Sequence, residues 1–255
     1  MDERRTTNRG PLSDAADPLY QGLRVSVEKT ETLIGAVGIF LVAGLVVSAA
    51  GTAAFVWIAR HVMSGATQAF DDAVIRWLGL HHARTLDGFM LEVTALGTGT
   101  VVIMIVAVAG LFLVLTGHKY SAILLLASTG GGIVLNGILK LGFNRPRPSI
   151  FLPEVHTVSS SFPSGHAMSA AIVYSTVAYL AARLHKRRWA RVTVMLIAFL
   201  VIALISISRL YLGVHYPSDV VAGVAIGLAW AGFCMATLEA IQKFAVRRGR
   251  SLEAR

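Results

Sequence analysis

Three observations predict an all-α fold: a six-transmembrane-helix bundle with short interfacial helices in its first outer loop. Apolar residues make up 55% of the 255-residue chain and charged residues only 15%, which is too apolar for an ordinary soluble domain. The apolar residues come in long uncharged blocks of bilayer-crossing length. The basic residues gather beside those blocks, where orientation in a membrane accounts for them. The net charge of +9 has no basic–aromatic surface pattern with it, so nucleic acid is not an expected partner. Cys234, the single cysteine, sits inside an apolar run, can form no internal disulfide and reads as a packing residue. There is no Cys/His cluster with metal-ligand spacing, and neither a metal nor a cofactor is expected.

Residues 1–31 are polar and mixed in charge, with Gly10, Pro11 and Pro18, and are expected to form a largely disordered leader. The domain proper is placed at 32–241, and a basic tail at 242–255. The first span is predicted over Leu33–Ala59, too long for a signal-peptide core, so no cleavable signal is expected. Arg60 and His61 end it. A semi-polar connection, 62–95, carries two amphipathic pieces, around Phe70–Leu80 and Leu86–Val93. In the first, Phe70, Val74, Trp77 and Leu78 recur at helical spacing beside Asp71, Asp72 and Arg76, which fits a helix lying in the interface.

The second span is predicted over Leu96–Leu115 and the third over Tyr120–Leu139, joined by Thr116-Gly117-His118-Lys119. The run Ser128-Thr129-Gly130-Gly131-Gly132 lies mid-membrane without the Lys-Ser/Thr that follows a phosphate loop. Small residues for close helix contact are the better reading. A polar loop runs from Lys140 to Pro163. The fourth span follows at Ser164–Leu184, then a basic hairpin, 185–191. The fifth span is expected over Val192–Ser208 and the sixth over Ser218–Ala240.

Six spans put both termini on one side. Of the 23 Lys and Arg residues, 16 fall on that side and seven on the other, which predicts cytoplasmic termini. Three polar clusters then share the outer face: Lys140 with Arg145 and Arg147-Pro148; Pro163-Ser164-Gly165-His166; and Ser208-Arg209 with His215 and Asp219.

Each cluster alone has two readings. Ser164 is a natural helix N-cap, and the backbone N–H groups behind it, with no side chain at Gly165, form an anion site. Serine caps are also commonly structural. Lys140 can snorkel from a helix end and Arg145 and Arg147 can sit at headgroup level, yet three cations on the cation-poor face suit a phosphate. If the last helix begins near His215, Asp219 shares its face at i+4 and can fix the imidazole tautomer. The plain alternative makes Asp219 a helix cap and His215 an interfacial residue.

Together the clusters resemble the signatures of the type 2 phosphatidic acid phosphatase superfamily. These are K-x6-R-P (Lys140 to Arg147-Pro148), P-S-G-H (Pro163 to His166) and S-R-x5-H-x3-D (Ser208-Arg209 to His215 and Asp219), and every signature position is filled. The resemblance implies that His215 is a nucleophile forming a phosphohistidine, oriented by Asp219. It implies that His166 serves as general acid and then base. Lys140, Arg147, Ser164, Gly165 and Arg209 would hold the phosphate without a metal, with Arg145 outside the signature as an auxiliary contact.

The expected activity is hydrolysis of a lipid phosphate or diphosphate at the outer face of a bacterial inner membrane. Undecaprenyl diphosphate, phosphatidate and phosphatidylglycerol phosphate are the candidate substrates. A phosphotransferase would use the same residues. A transporter would need mid-bilayer polar groups and paired repeats, which are not seen. The superfamily's vanadate-dependent haloperoxidases are soluble, unlike a six-span chain. No motif bears on oligomeric state.

Overall fold

A computed structural model describes residues 41–81, 83–148 and 159–253. The expected leader, the start of the first span and most of the Ser149–Ser161 loop lie outside the described residues. Every regular element among the described residues is a helix: α1 (Leu41–Met63), α2 (Gln68–Leu80), α3 (Arg84–Ala95), α4 (Gly99–Leu115), α5 (Lys119–Gly142), α6 (Gly165–Leu184), α7 (Arg188–Tyr211) and α8 (Pro217–Glu253).

Five of these, α1, α5, α6, α7 and α8, are each long and apolar enough to cross a membrane. The expected second span is only 17 residues as a helix, Gly99–Leu115. It reaches crossing length together with Thr85–Ala95, across a 47° bend. The piece expected around Leu86–Val93 is a helix of its own, α3, and meets α4 at that bend. The backbone explains the bend: Leu96, Gly97 and Thr98 bond back to Val93, Thr94 and Ala95 in tight turns, and the helix restarts at Gly99.

Helix α6 is the axis of the bundle, packed against α4, α5, α7 and α8. Its small residues Ala167, Ala170, Ala171, Ala178 and Ala182 are buried, and Met168, Ile172 and Val173 join Val102, Val106 and Leu125 in the main core. The outer helices turn large apolar residues outward, such as Val108 and Leu111 on α4, Ile133 on α5 and Phe199 on α7. That is a suitable surface only where the solvent is lipid.

Glycine sets the closest approaches. A Cβ at Gly223 would lie 2.6 Å from the carbonyl oxygen of Ser164, and one at Gly227 would lie 2.7 Å from that of Met168. Helix α8 thus lies against α6 backbone to backbone, as small-residue packing in membranes permits. The run on α5 behaves as expected. A Cβ at Gly131 would strike the Trp230 ring, and one at Gly132 would strike Ile172.

Candidate active site

The α6–α8 contact brings the second and third clusters together. The Ser164 N–H donates to the Asp219 carbonyl at 3.0 Å, so the starts of the two helices are tied side by side. Phe162 is fully buried and stacks on Phe55 at 5.8 Å, with Phe143 edge-on at 4.8 Å. This aromatic anchor from α1 and the end of α5 holds the loop that delivers Pro163 and Ser164. Ser164 occupies the N-cap position of α6, yet its hydroxyl makes no capping bond and, though buried, has no hydrogen-bond partner among the described residues. The first-turn N–H groups of α6 and this oxygen form the backbone side of an anion site.

Helix α8 starts at Pro217, so His215 lies in the turn ahead of it rather than on its first turn. Gly213, at φ +63°, reverses the chain after α7 in the left-handed conformation that glycine adopts without penalty. His215 is buried at 1% exposure. Its Nδ1 is 3.7 Å from Asp219 Oδ2, and the Ser161 hydroxyl sits beside both atoms. Ser161 Oγ donates to that carboxylate oxygen at 2.5 Å and sits 3.4 Å from Nδ1. Asp219 Oδ2 also accepts from the Tyr216 N–H at 2.9 Å.

On the other edge of the ring, Arg147 Nη1 stands 3.3 Å from Nε2 and donates to the Val214 carbonyl at 3.0 Å. An arginine nitrogen can only donate, so Nε2 faces it as the acceptor and the ring proton belongs on Nδ1. Ser161 leads to the same tautomer. Its single proton is given to Asp219, which leaves its oxygen to accept from Nδ1–H. Burial, followed by the nearby Arg147 and Arg209 charges, outweighs Asp219 and pushes the His215 pKa down from 6.5 to about 4. The imidazole is neutral at pH 7, with a free electron pair on the nitrogen facing Arg147.

Around this nitrogen the expected cations converge. Ser159 gathers two of them: Lys140 Nζ donates to its hydroxyl at 3.4 Å and Arg147 Nη2 does so at 3.3 Å. Burial lowers the pKa of Arg147, with Asp219 opposing. Arg209, at the end of α7 and 9% exposed, is held by Thr94 on α3, while its Nε has no partner among the described residues. The charges of Arg209, His215, Lys140 and Arg147 all act on His166, the second residue of α6. His166 is also walled by the junction of α3 and α4, since a Cβ at Gly97 would lie 3.3 Å from its ring. A pocket with three cations, a helix N-terminus and an imidazole nitrogen aimed inward can hold an anion and attack it.

Arg145 is differently placed. Its guanidinium donates to Asp219, Ser218, Asp71 and Gln68 and lies 4.3 Å over the Tyr216 ring. Burial opposes its charge, but Asp219 and Asp71 outweigh it and hold its pKa above the usual arginine value.

Sequence reasoning missed Ser159, Ser161, Thr94 and Asp71. The serines had a signal: three consecutive hydroxyl residues directly before Phe162-Pro163-Ser164. Asp71 looked like the wet side of an amphipathic helix, yet it is fully buried. Among the described residues no three His, Cys, Asp or Glu side chains form a group that could hold a metal ion.

Comparison with known proteins gives the family. The profile of the PAP2 superfamily matches residues 121–243, a stretch that contains all three clusters. Phosphatidylglycerophosphatase B of Bacillus subtilis is 33% identical over 180 residues, covering 68% of this chain and 86% of that protein. An undecaprenyl-diphosphatase of Sulfolobus acidocaldarius is 29% identical over 175 residues, covering 67% of this chain and 79% of that protein. Among solved structures, the transmembrane PAP2-type phosphatidylglycerolphosphate phosphatase of Bacillus subtilis superposes with a TM-score of 0.67 at 30% identity, over 72% of this chain and 94% of that one. Aquifex aeolicus LpxE gives 0.51 at 27% identity, over 65% and 94%. Shared helices, shared length and an inward-facing set of cations and imidazoles lead to one conclusion: this chain belongs to the PAP2 superfamily and is an integral membrane phosphatase.

Proposed function

We propose that the chain hydrolyses the phosphate or diphosphate of a membrane lipid through a phosphohistidine at His215. The observation that carries this is the placement of His215: Nε2 beside Arg147, and Nδ1 backed by Ser161 and Asp219. In the first step the Nε2 electron pair attacks phosphorus. The bond to the leaving oxygen breaks, and His166, protonated alongside the bound phosphate anion whose charge offsets the nearby cations, gives that oxygen its proton. In the second step His166 takes a proton from water, whose oxygen attacks phosphorus. The P–N bond breaks and its electrons return to Nε2.

Lys140, Arg147 and Arg209, with Ser164 Oγ and the Gly165 N–H, hold the phosphoryl oxygens as charge develops. Asp219 balances the positive charge that His215 carries while phosphorylated. These protein cations supply the neutralisation that a metal supplies elsewhere.

A lipid substrate is supported by the setting. The site lies where spans end, so a charged headgroup reaches it while the tail stays in hydrocarbon. It is also supported by the relatives, named for phosphatidylglycerophosphate, undecaprenyl diphosphate and, in Rhizobium johnstonii, lipid A 1-phosphate. The 16-to-seven division of Lys and Arg supports cytoplasmic termini and a site on the outer face of the inner membrane.

The test is phosphate release by purified protein, with chelator present, across prenyl and glycerolipid mono- and diphosphates. Radiolabelled phosphate is trapped on the protein in parallel. Chelator-resistant release and label on His215 are expected. A His215→Ala protein that still trapped label would overturn the mechanism.

A further inference from the structure

We propose that Asp71, on the outer-loop helix α2, is a positioning residue that acts through Arg145 to fix the carboxylate of Asp219 and with it the imidazole of His215. The inference rests on the reading of His215 as the nucleophile. Neither Asp71 nor Arg145 belongs to the three signatures.

The bridge is continuous. Asp71 Oδ2 accepts from Arg145 Nη2 at 2.7 Å, and Arg145 Nη1 donates to Asp219 Oδ1 at 2.7 Å. Asp219 is thereby held by both oxygens: Oδ1 by the guanidinium, Oδ2 by Ser161 and the Tyr216 N–H. Asp71 reaches the same place by a second route, accepting from the N–H of Ser218 at 3.0 Å and from its hydroxyl at 2.5 Å. Ser218 precedes Asp219 in the first turn of α8, so Asp71 holds the backbone as well as the charge.

Both carboxylates are fully buried and Arg145 is 9% exposed, so none of these charges is screened by water. Charge balance gives Asp71 its role. With Asp219 alone, the guanidinium would draw the carboxylate's charge away from the imidazole. With Asp71 on its other side, the buried trio keeps a net charge of −1, and Asp219 retains a negative charge to face His215 as phosphorus is transferred. Gln68, one helical turn before Asp71, adds its oxygen to Arg145 at 3.0 Å and steadies the fork.

A purely structural staple between α2 and α8 would use the same bonds, so the test must separate the two. The rate constant for His215 phosphorylation is measured by rapid quench on detergent-purified protein, together with KM and thermal stability. For Asp71→Asn, which keeps the shape but not the charge, phosphorylation per folded molecule should slow about 10²-fold, the scale of a small misplacement at the reacting atom. KM should stay within about twofold, because the phosphate-binding cations are untouched.

In an Arg145→Gln background, Asp71→Asn should add less than about twofold, since its path is already cut. Should Asp71→Asn fail to fold, Arg145→Lys serves. Its single ammonium cannot fork across two carboxylates, and the same loss in phosphorylation rate is expected. Phosphorylation at the wild-type rate in folded Asp71→Asn or Arg145→Lys protein would overturn the proposal, as would fully multiplying losses in the double variant. If the wild-type protein carried no phosphate on His215, the nucleophile reading itself would fail and take this inference with it. A failure of the bridge alone leaves wild-type trapping intact.

Discussion

Asp219 Oδ2 and His215 Nδ1 stand 3.7 Å apart, and the hydroxyl of Ser161 sits beside both, 2.5 Å from the carboxylate oxygen and 3.4 Å from the ring nitrogen. The pair that the i+4 spacing suggested is thus a trio. The third member comes from a loop more than fifty residues away in sequence. A hydroxyl that donates to the carboxylate and accepts from the ring fixes the tautomer as a direct bond would.

Ser161→Ala should therefore slow turnover with little change in KM. A hydrogen bond to a charged group is worth about 1.5–3 kcal/mol, so a loss of roughly 10- to 100-fold in kcat is expected. Steady-state kinetics on one lipid phosphate decide it; an unchanged kcat would remove Ser161 from the site.

The ring of His215 should titrate near pH 4 in the phosphate-free protein. Because the folded value lies below the free imidazole value of about 6.5, the unfolded chain binds more protons between those limits. The contribution of this group to stability is then complete above about pH 6.5 and is lost as pH falls through 4. Histidine-selective NMR titration in micelles checks the value, and melting temperature against pH checks the sign. A ring titrating at 6.5 would mean that His215 is solvated rather than buried.

Gly223→Ala and Gly227→Ala should both destabilise the bundle, since each Cβ would fall under 3 Å from an α6 carbonyl oxygen. Overpacking of this kind costs about 1–3 kcal/mol. The two should differ in activity. Gly223 opposes Ser164, so its variant should lose kcat beyond what lost folded protein explains, while Gly227 opposes Met168 and should not. Melting temperature and kcat per folded molecule, measured together, separate the effects.

Thr94→Val should release Arg209, whose Nη1 it accepts at 2.8 Å. The isosteric change leaves the bend between α3 and α4 alone but removes the anchor. KM for a lipid phosphate should rise by roughly tenfold, the worth of one hydrogen bond to a charged group. Arg209→Lys should show the same direction with a larger effect. An unaltered KM in both would place Arg209 outside the binding of phosphate.

Much of this protein is legible without coordinates because the membrane imposes a coarse rule. A backbone in hydrocarbon must satisfy its own hydrogen bonds, so long apolar blocks become helices and their ends are where polar chemistry can lie. Lys140, Arg147, His166, Arg209 and His215 announced themselves as polar groups at such ends, and the structure gathers them around one pocket. Less legible were residues whose role depends on what folds back over them. Asp71 sits on a face that reads as wet, and only the approach of Arg145 and Ser218 makes it dry. Thr94 looks like filler on a short amphipathic helix until the bend at Leu96–Thr98 turns it toward Arg209.

The chain's own order of residues determined the helical class, the approximate spans, the orientation bias of its basic residues and the three clusters that carry the family signatures. Each of these is a local or compositional property, set by hydropathy over about twenty residues or by motif spacing. Tertiary structure alone decided that α3 and α4 meet at a bend, that His215 precedes α8 rather than opening it, and that Ser161 touches both it and Asp219. It alone turned Arg145 toward two buried carboxylates. Those outcomes depend on how closely α6 and α8 approach and on which charges are shut away from solvent, and helix period and composition carry no record of either.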